Sequence, residues 1–303
     1  MTVPAYIPSP PISEFALGPL TIHFYALCIM IGIGIAVWLT QRRLAARGAA
    51  KGTVIDIALW AVPSGIIGAR IYHVISHPTD YFYPGADLLK SLYIWEGGLA
   101  IFGGILFGSV GAYIACRRSG VRFWAFADAL APGLLLAQAF GRFGNYFNHE
   151  LFGGPTSLPW GLQIETSNIA YPLGLPDGTL FHPLFLYEMI WNVAGAFLIV
   201  YIERRAQLHH GETLALYLIW YGSGRTFFEW LRLDPTEFTI FGLKANIVTA
   251  LLLAMAGAIL LLIQRRRRLP FPESAYVKKT KNDEVLFGDV VHEPDRGRRG
   301  NPD

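Results

Sequence analysis

Seven times along this chain a stretch of about twenty residues is mostly apolar, and this recurrence restricts the possible folds more than any other feature. A helix needs roughly 20 apolar residues to cross the hydrocarbon core of a bilayer, and it pairs every backbone N–H and C=O within itself while doing so. The stretches lie at about 20–40, 54–74, 97–116, 123–140, 183–203, 212–231 and 245–264. Glycine, proline and single charges interrupt several of them, as in LWAVPSGIIGARIY at 59–72, so their ends are softer than their number. Of 303 residues 53% are hydrophobic and 16% charged, against roughly 25% charged in soluble domains. The expected fold class is an all-α membrane protein with seven transmembrane helices.

Lysine and arginine collect in alternate connections. Arg42, Arg43, Arg47 and Lys51 share one, Arg117, Arg118 and Arg122 another, Arg204 and Arg205 a third, and Arg265 to Arg268 follow the last span. Short loops rich in these residues stay on the cytoplasmic side. The connections at about 75–96, 141–182 and 232–244 carry few of them, and the segment before Thr21 carries none. This pattern predicts an N-terminus outside and a C-terminus inside. MTVPAYIPSPP lacks the charged start and short apolar core of a secretory signal peptide.

The net charge of +3 reflects these cytoplasmic anchors and does not argue for nucleic acid. RRRR at 265–268 follows an apolar span directly and reads as stop-transfer and anionic-lipid contact. The chain divides into an extracytoplasmic segment at 1–19, a membrane domain at 20–265 and a polar cytoplasmic tail at 270–303, expected to be disordered. Within the membrane domain, the long connection 141–182 is expected to form a small irregular extracytoplasmic head, with short strands over Leu158 to Glu165. Cys28 and Cys116 both fall in spans, so neither a disulfide framework nor a CxxC metal site is available.

Ionisable residues within or beside spans are costly, so each is a functional candidate. They gather at one level: Arg70 ends the second span, Arg142 and Asn145 the fourth, and Arg225, Glu229 and Arg232 the sixth, while His182 and Glu188 open the fifth. Arg225, Glu229 and Arg232 are spaced i, i+4 and i+7, on one helical face with Tyr221 a turn earlier. GRFGNYFNHELFGG at 141–154 adds glycines for close backbone approach. Asn145 and Asn148 supply amide donors, and the Arg142 fork suits a phosphate. Together these residue types point to an outer-leaflet phosphate site. Glu150 and Glu188 are suited to orienting arginines or capping turns, and Asp128 to pairing with a neighbouring polar group.

Gly141, Arg142, Gly144, Asn145, Asn148, Glu150 and Gly153 form GRxGNxxNxExxG, which resembles the signature of the prolipoprotein diacylglyceryl transferases. Six landmarks agree in order: HFYAL at 23–27, GARIYH at 68–73, WEGGLAIFGG at 95–104, DALAPG at 128–133, HPLFLYE at 182–188 and YGSGRTFFEWLR at 221–232. The resemblance runs from about residue 18 to 265. It implies a multi-pass enzyme of the bacterial cytoplasmic membrane, with its active site facing the outer leaflet and no metal or organic cofactor. Such an enzyme moves the diacylglyceryl group of phosphatidylglycerol to the lipobox cysteine thiol of a preprolipoprotein. A thioether forms and glycerol 1-phosphate leaves, the first step of lipoprotein maturation. By the same resemblance Arg142, Arg225, Tyr25 and Glu150 are the catalytic candidates. Asn145, Asn148, Gly153, Tyr221, Glu229, Arg232 and Arg70 join Arg142 as candidates for holding substrate.

One position departs from the family pattern. Many members carry histidine in a GG-x-x-x-H-GG stretch, whereas here Gly97, Gly98, Phe102, Gly103 and Gly104 place a phenylalanine there. His149, His182, Tyr25 and a departing phosphate oxygen all remain open as the thiol's proton acceptor. The rival from another class is a transporter or flippase of anionic lipid or organic phosphate, against which stand the outward-shifted charges and the lack of a repeated half.

Overall fold

The computed structural model describes residues 6–18, 20–233, 239–240, 242–267 and 274–276. A hairpin of β1 (Glu14–Leu17) and β2 (Leu20–His23) leads into α1 (Phe24–Ala46). After α2 (Thr53–Ser76), three short 3-10 turns run through 78–96 to α3 (Ile101–Arg118) and α4 (Phe123–Phe147). The strands β3 (Leu162–Gln163) and β4 (Leu180–Phe181) precede α5 (Leu184–Ala206) and α6 (Glu212–Leu231). A last hairpin of β5 (Thr239–Ile240) and β6 (Leu243–Lys244) opens α7 (Ala245–Arg266). Among the described residues, α1, α2, α4, α5 and α7 are long and apolar enough to cross a membrane. The remaining two have identifiable handicaps: α3 has only 18 residues and ends in Arg117 and Arg118, and α6 carries Glu212, Arg225 and Glu229.

The chain forms two compact units, one of residues 1–40 and 127–273, the other of 41–126 and 274–303. In the first unit α1 and α4 pack antiparallel through small residues. A Cβ on Gly133 would lie 3.1 Å from Ala36 Cα, one on Gly32 3.0 Å from Ala137 O, and one on Gly144 2.8 Å from the Tyr25 ring. Small residues matter here because helices in lipid gain little from apolar burial and associate through close backbone contact. The α6–α7 pair uses the same device at Gly222, against Ala250 and Ala254, and at Gly257, against Ala215. Between α5 and α6 the contact is instead aromatic: Trp191 covers Gly224 while Trp220 covers Gly195. Buried Asp128 of α4 accepts from the amides of Gly211 (2.6 Å) and Leu214 (2.8 Å), placing a carboxylate at the electropositive start of α6.

The segment between α4 and α5 has its own core of Leu151, Phe152, Leu162, Ile164, Phe181 and Phe185. The expected strand within Leu158–Glu165 is β3, paired with β4, and Ile7 extends it by exchanging backbone bonds with Gly161 and Gln163. In the second unit α2 and α3 approach through Gly65, Gly68, Gly103, Gly104, Gly108 and Gly111. The tail expected at 270–303 lies outside the described residues apart from 274–276. There Ala275 is fully buried, and its carbonyl accepts from Arg122 N, while the Tyr276 hydroxyl accepts from Ala50 N.

Candidate active site

Helix α4 ends by a turn that the sequence alone would not favour. His149 (φ 56°) and Leu151 (φ 61°) both adopt the left-handed conformation, which costs a non-glycine residue roughly 1–2 kcal/mol. Several bonds hold the turn in place. His149 Nδ1 lies 2.6 Å from Glu165 Oε1 and Nε2 2.9 Å from Pro10 O; Asn168 Nδ2 donates to His149 O, and Leu151 is buried in the core of the segment. Both ring nitrogens of His149 are thus engaged in holding the turn. The same contact acts on Glu165. Burial alone would push its carboxyl up, but the hydrogen bonds from His149 and from its own backbone, with the His149 charge, hold it below the usual carboxylate range.

The turn sets Glu150 beneath the last turn of α4. Its two carboxylate oxygens accept from Asn145 Nδ2 (2.8 Å) and Asn148 Nδ2 (3.3 Å), so both amides are oriented by a carboxylate and each keeps a second N–H. Just beyond, Gly153 donates to His182 O and forms an antiparallel bridge with Arg232, bringing the 141–154 segment against the end of α6. A Cβ there would meet His182, Leu184 and Leu231 at 3.2–3.3 Å, which accounts for the glycine. His182 packs through these backbone bonds, with Nδ1 3.3 Å from the Tyr187 hydroxyl.

The charged residues meet where α4 and α6 end and α5 and α7 begin. Arg142 Nε donates to Glu188 Oε2 at 2.7 Å. On α6 the i, i+4, i+7 face closes on Glu229, whose Oε2 accepts from Arg225 Nη2 (2.7 Å) and Arg232 Nη1 (3.2 Å). Glu229 Oε1 accepts from Asn246 Nδ2 (2.9 Å), and Lys244 Nζ donates to the carbonyls of Arg232 and Glu229. Three guanidinium groups therefore face two buried carboxylates, an excess of positive charge suited to an anion. A recess beside them is lined by Glu188, Trp191, Asn192, Tyr221, Gly224, Arg225 and Phe228. Two buried atoms of these residues, Arg225 Nη1 and Glu188 Oε1, have no hydrogen-bond partner among the described residues.

Of the residues singled out by sequence, the first unit holds Tyr25, Arg142, Asn145, Asn148, Glu150, Gly153, Tyr221, Arg225, Glu229 and Arg232. Tyr25 packs on Gly144, and Tyr221 stacks on Tyr217. Arg70 belongs to the second unit. It is buried and donates to the carbonyls of Lys90, Ser91, Gly97 and Gly98, with its guanidinium over the Tyr81 ring at 5.1 Å. Phe102, also in that unit, lies half-exposed beside Tyr72. Lys244, Asn246, Trp191 and Trp220 were not singled out. The polar pair heading an otherwise apolar span, and the W-x-x-x-G spacing repeated at 191–195 and 220–224, were the available signals.

Several long apolar helices, with a buried arginine–carboxylate cluster where helices of the first unit begin and end, fit a multi-pass membrane protein. Residues 13–263 match the family described as prolipoprotein diacylglyceryl transferase, and the chain belongs to that family of membrane transferases. A phosphatidylglycerol–prolipoprotein diacylglyceryl transferase of Leifsonia xyli is 55% identical over 265 residues, covering 86% of this chain and 79% of its own length. The protein of that name from Paenarthrobacter aurescens is 51% identical, covering 87% of this chain and 85% of its own length. One from Streptomyces coelicolor is 47% identical, covering 88% of this chain and 83% of its own. Membership of a transferase family sets aside the transporter alternative.

Proposed function

We propose that this chain transfers the diacylglyceryl group of phosphatidylglycerol to the lipobox cysteine of preprolipoproteins; its relatives' names state phosphatidylglycerol and prolipoprotein. In this reaction the cysteine sulfur forms a bond to the glyceryl carbon as that carbon's bond to the phosphate oxygen breaks. The thiol proton leaves, and the phosphodiester becomes a monoester with an additional negative charge. Catalysis therefore requires cations placed where that charge develops, with donors already oriented. The observation that carries the reading is Arg225, which pairs with Glu229, keeps a buried, unpartnered Nη1 and lines the recess. Arg142, fixed by Glu188, is the second phosphate donor, and Asn145 and Asn148, fixed by Glu150, supply neutral ones. Arg70 serves the loop at 90–98 in this reading and not the lipid.

The same reading takes α3 and α6 as spans alongside the five longer apolar helices, because their charges lie at helix ends or within the cluster. With the basic residues in alternate connections, this gives seven spans, the N-terminus outside, the C-terminus inside and the site at the outer leaflet. The test is transfer of labelled diacylglyceryl from phosphatidylglycerol to a lipobox peptide by the purified chain in detergent. Labelled thioether peptide is expected. Lipid movement only in sealed vesicles, with no labelled peptide, would refute the reading.

A further inference from the structure

Glu188 lies in α5, four residues after its start at Leu184 and one turn before Trp191, with its side chain about one-twentieth exposed. Its two carboxylate oxygens have different surroundings. Oε2 accepts from Arg142 Nε, whereas Oε1 is buried and has no partner among the described residues; Glu188 lines the same recess as Arg225, whose Nη1 is likewise buried and unpartnered. A buried carboxylate oxygen left without a donor is costly, so its retention points to a partner that arrives with a ligand. The recess thus has a cationic donor and an anionic acceptor among its lining residues. A ligand that fills both carries a phosphate oxygen and, close to it, an O–H or N–H group.

Resting on the phosphatidylglycerol reading above, we infer that Glu188 Oε1 accepts a hydroxyl of the departing lipid headgroup and so selects a hydroxylated headgroup. An ammonium headgroup would also offer N–H donors, but it would enter beside Arg142 and Arg225, with Arg232 within electrostatic range of Arg225. Like charges so close in a poorly solvated recess repel, so the guanidinium groups exclude the ammonium while the carboxylate demands a donor. A neutral hydroxyl satisfies both conditions. The assignment places in one recess the groups that hold the phosphate and those that read its substituent.

The test compares phosphatidylglycerol with phosphatidylpropanol, which has the same carbon skeleton without the headgroup hydroxyls, using the full-length chain in mixed micelles with a lipobox peptide. Wild-type kcat/KM is expected to favour phosphatidylglycerol by roughly 10- to 100-fold, the range for a hydrogen bond to a charged group. Glu188→Gln keeps an oxygen for Arg142 but turns an N–H toward the recess, and the preference is expected to fall close to unity. A structural lesion would lower both rates and leave their ratio unchanged. Equal use of the two lipids by the wild type overturns the inference even if Glu188→Gln fails to fold. So does a Glu188→Gln enzyme that keeps the wild-type ratio, which would assign Oε1 to a donor common to both reactions, such as the peptide thiol. Transfer from neither lipid by the wild type overturns the transferase reading itself and this inference with it.

Discussion

Trp191 and Trp220 lie face to face, 4.1 Å between ring centroids, and each indole N–H donates to the other residue's backbone carbonyl. Each ring also occupies the space above the glycine four residues beyond its partner, Gly224 for Trp191 and Gly195 for Trp220. The arrangement locks α5 and α6 in register, and Glu188 and Arg225 are within a turn of it. Gly195→Ala or Gly224→Ala inserts a Cβ into the facing indole and is expected to cost about 1–3 kcal/mol, as overpacking does. Thermal unfolding in detergent should show a lowered midpoint for both, and transfer should fall with it. Midpoints equal to wild type would show that the rings move aside freely.

The phosphate assignment is tested by Arg142→Ala and Arg225→Ala. Each is expected to reduce transfer by roughly 10²–10³-fold, the range for a lost oxyanion donor. Lysine should rescue poorly, because an ammonium keeps the charge without the planar two-point fork. Arg266→Ala, at the far end of α7, is the control and should retain turnover. Near-normal transfer by both alanine variants would remove the arginines from the phosphate.

Acid should loosen the turn at 149–151. The folded Glu165 carboxyl lies below its ordinary value of about 4.5, so its contact with His149 stabilises the fold above that value. The contribution is lost as pH falls through the lowered folded value. Hydrogen exchange over 149–168 is expected to quicken below about pH 4.5. In Glu165→Gln exchange should be faster at neutral pH and the acid-dependent part should disappear. An acid response unchanged by Glu165→Gln would place its origin elsewhere.

For the topology, cysteine labelling should reach positions near 48, 120, 207 and 280 only after the inner side is opened. Positions near 85 and 165 should label in intact cells. The opposite pattern at 165 would reverse the orientation and with it the outer-leaflet site.

At Phe102, half-exposed and packed on Tyr72, histidine is expected to be tolerated and alanine to cost packing, with transfer surviving in both. A Phe102→His enzyme with a new pH optimum would mean that this position faces the reacting thiol after all.

Among the described residues each of the seven apolar stretches coincides with an α-helix, five of them long and apolar enough to cross a membrane, but hydropathy did not give their ends. The first starts at Phe24 because 20–23 pairs as a strand with 14–17, and α3 starts at Ile101 because Gly97 and Gly98 both adopt positive φ. Apolarity reports lipid contact, and a helix continues past it wherever the residues permit, as α1 does through QRRLAA to Ala46. Within the site, the face of Arg225, Glu229 and Arg232 was legible because helical spacing alone sets it. The pairing of Arg142 with Glu188, or of Glu229 with Asn246, joins different helices and leaves no local pattern. The His149 contacts were hidden for the same reason, since Pro10 and Glu165 come from distant stretches. Arg70 illustrates a further limit: its acceptors are carbonyls, which every residue possesses, so no residue type announces them.

That last feature bears on how inactivating substitutions are interpreted. A guanidinium holding four carbonyls acts as internal solvent for the loop at 90–98, standing in for water that the fold excludes. Arg70→Ala is therefore expected to unsettle the loop at 90–98, which a lower thermal midpoint would register, so a fall in transfer by that variant would not by itself place Arg70 at the substrate. Loss of Arg70 and loss of Arg142 belong to different kinds: one removes the hub on which a loop is hung, the other a charge from the arginine–carboxylate cluster.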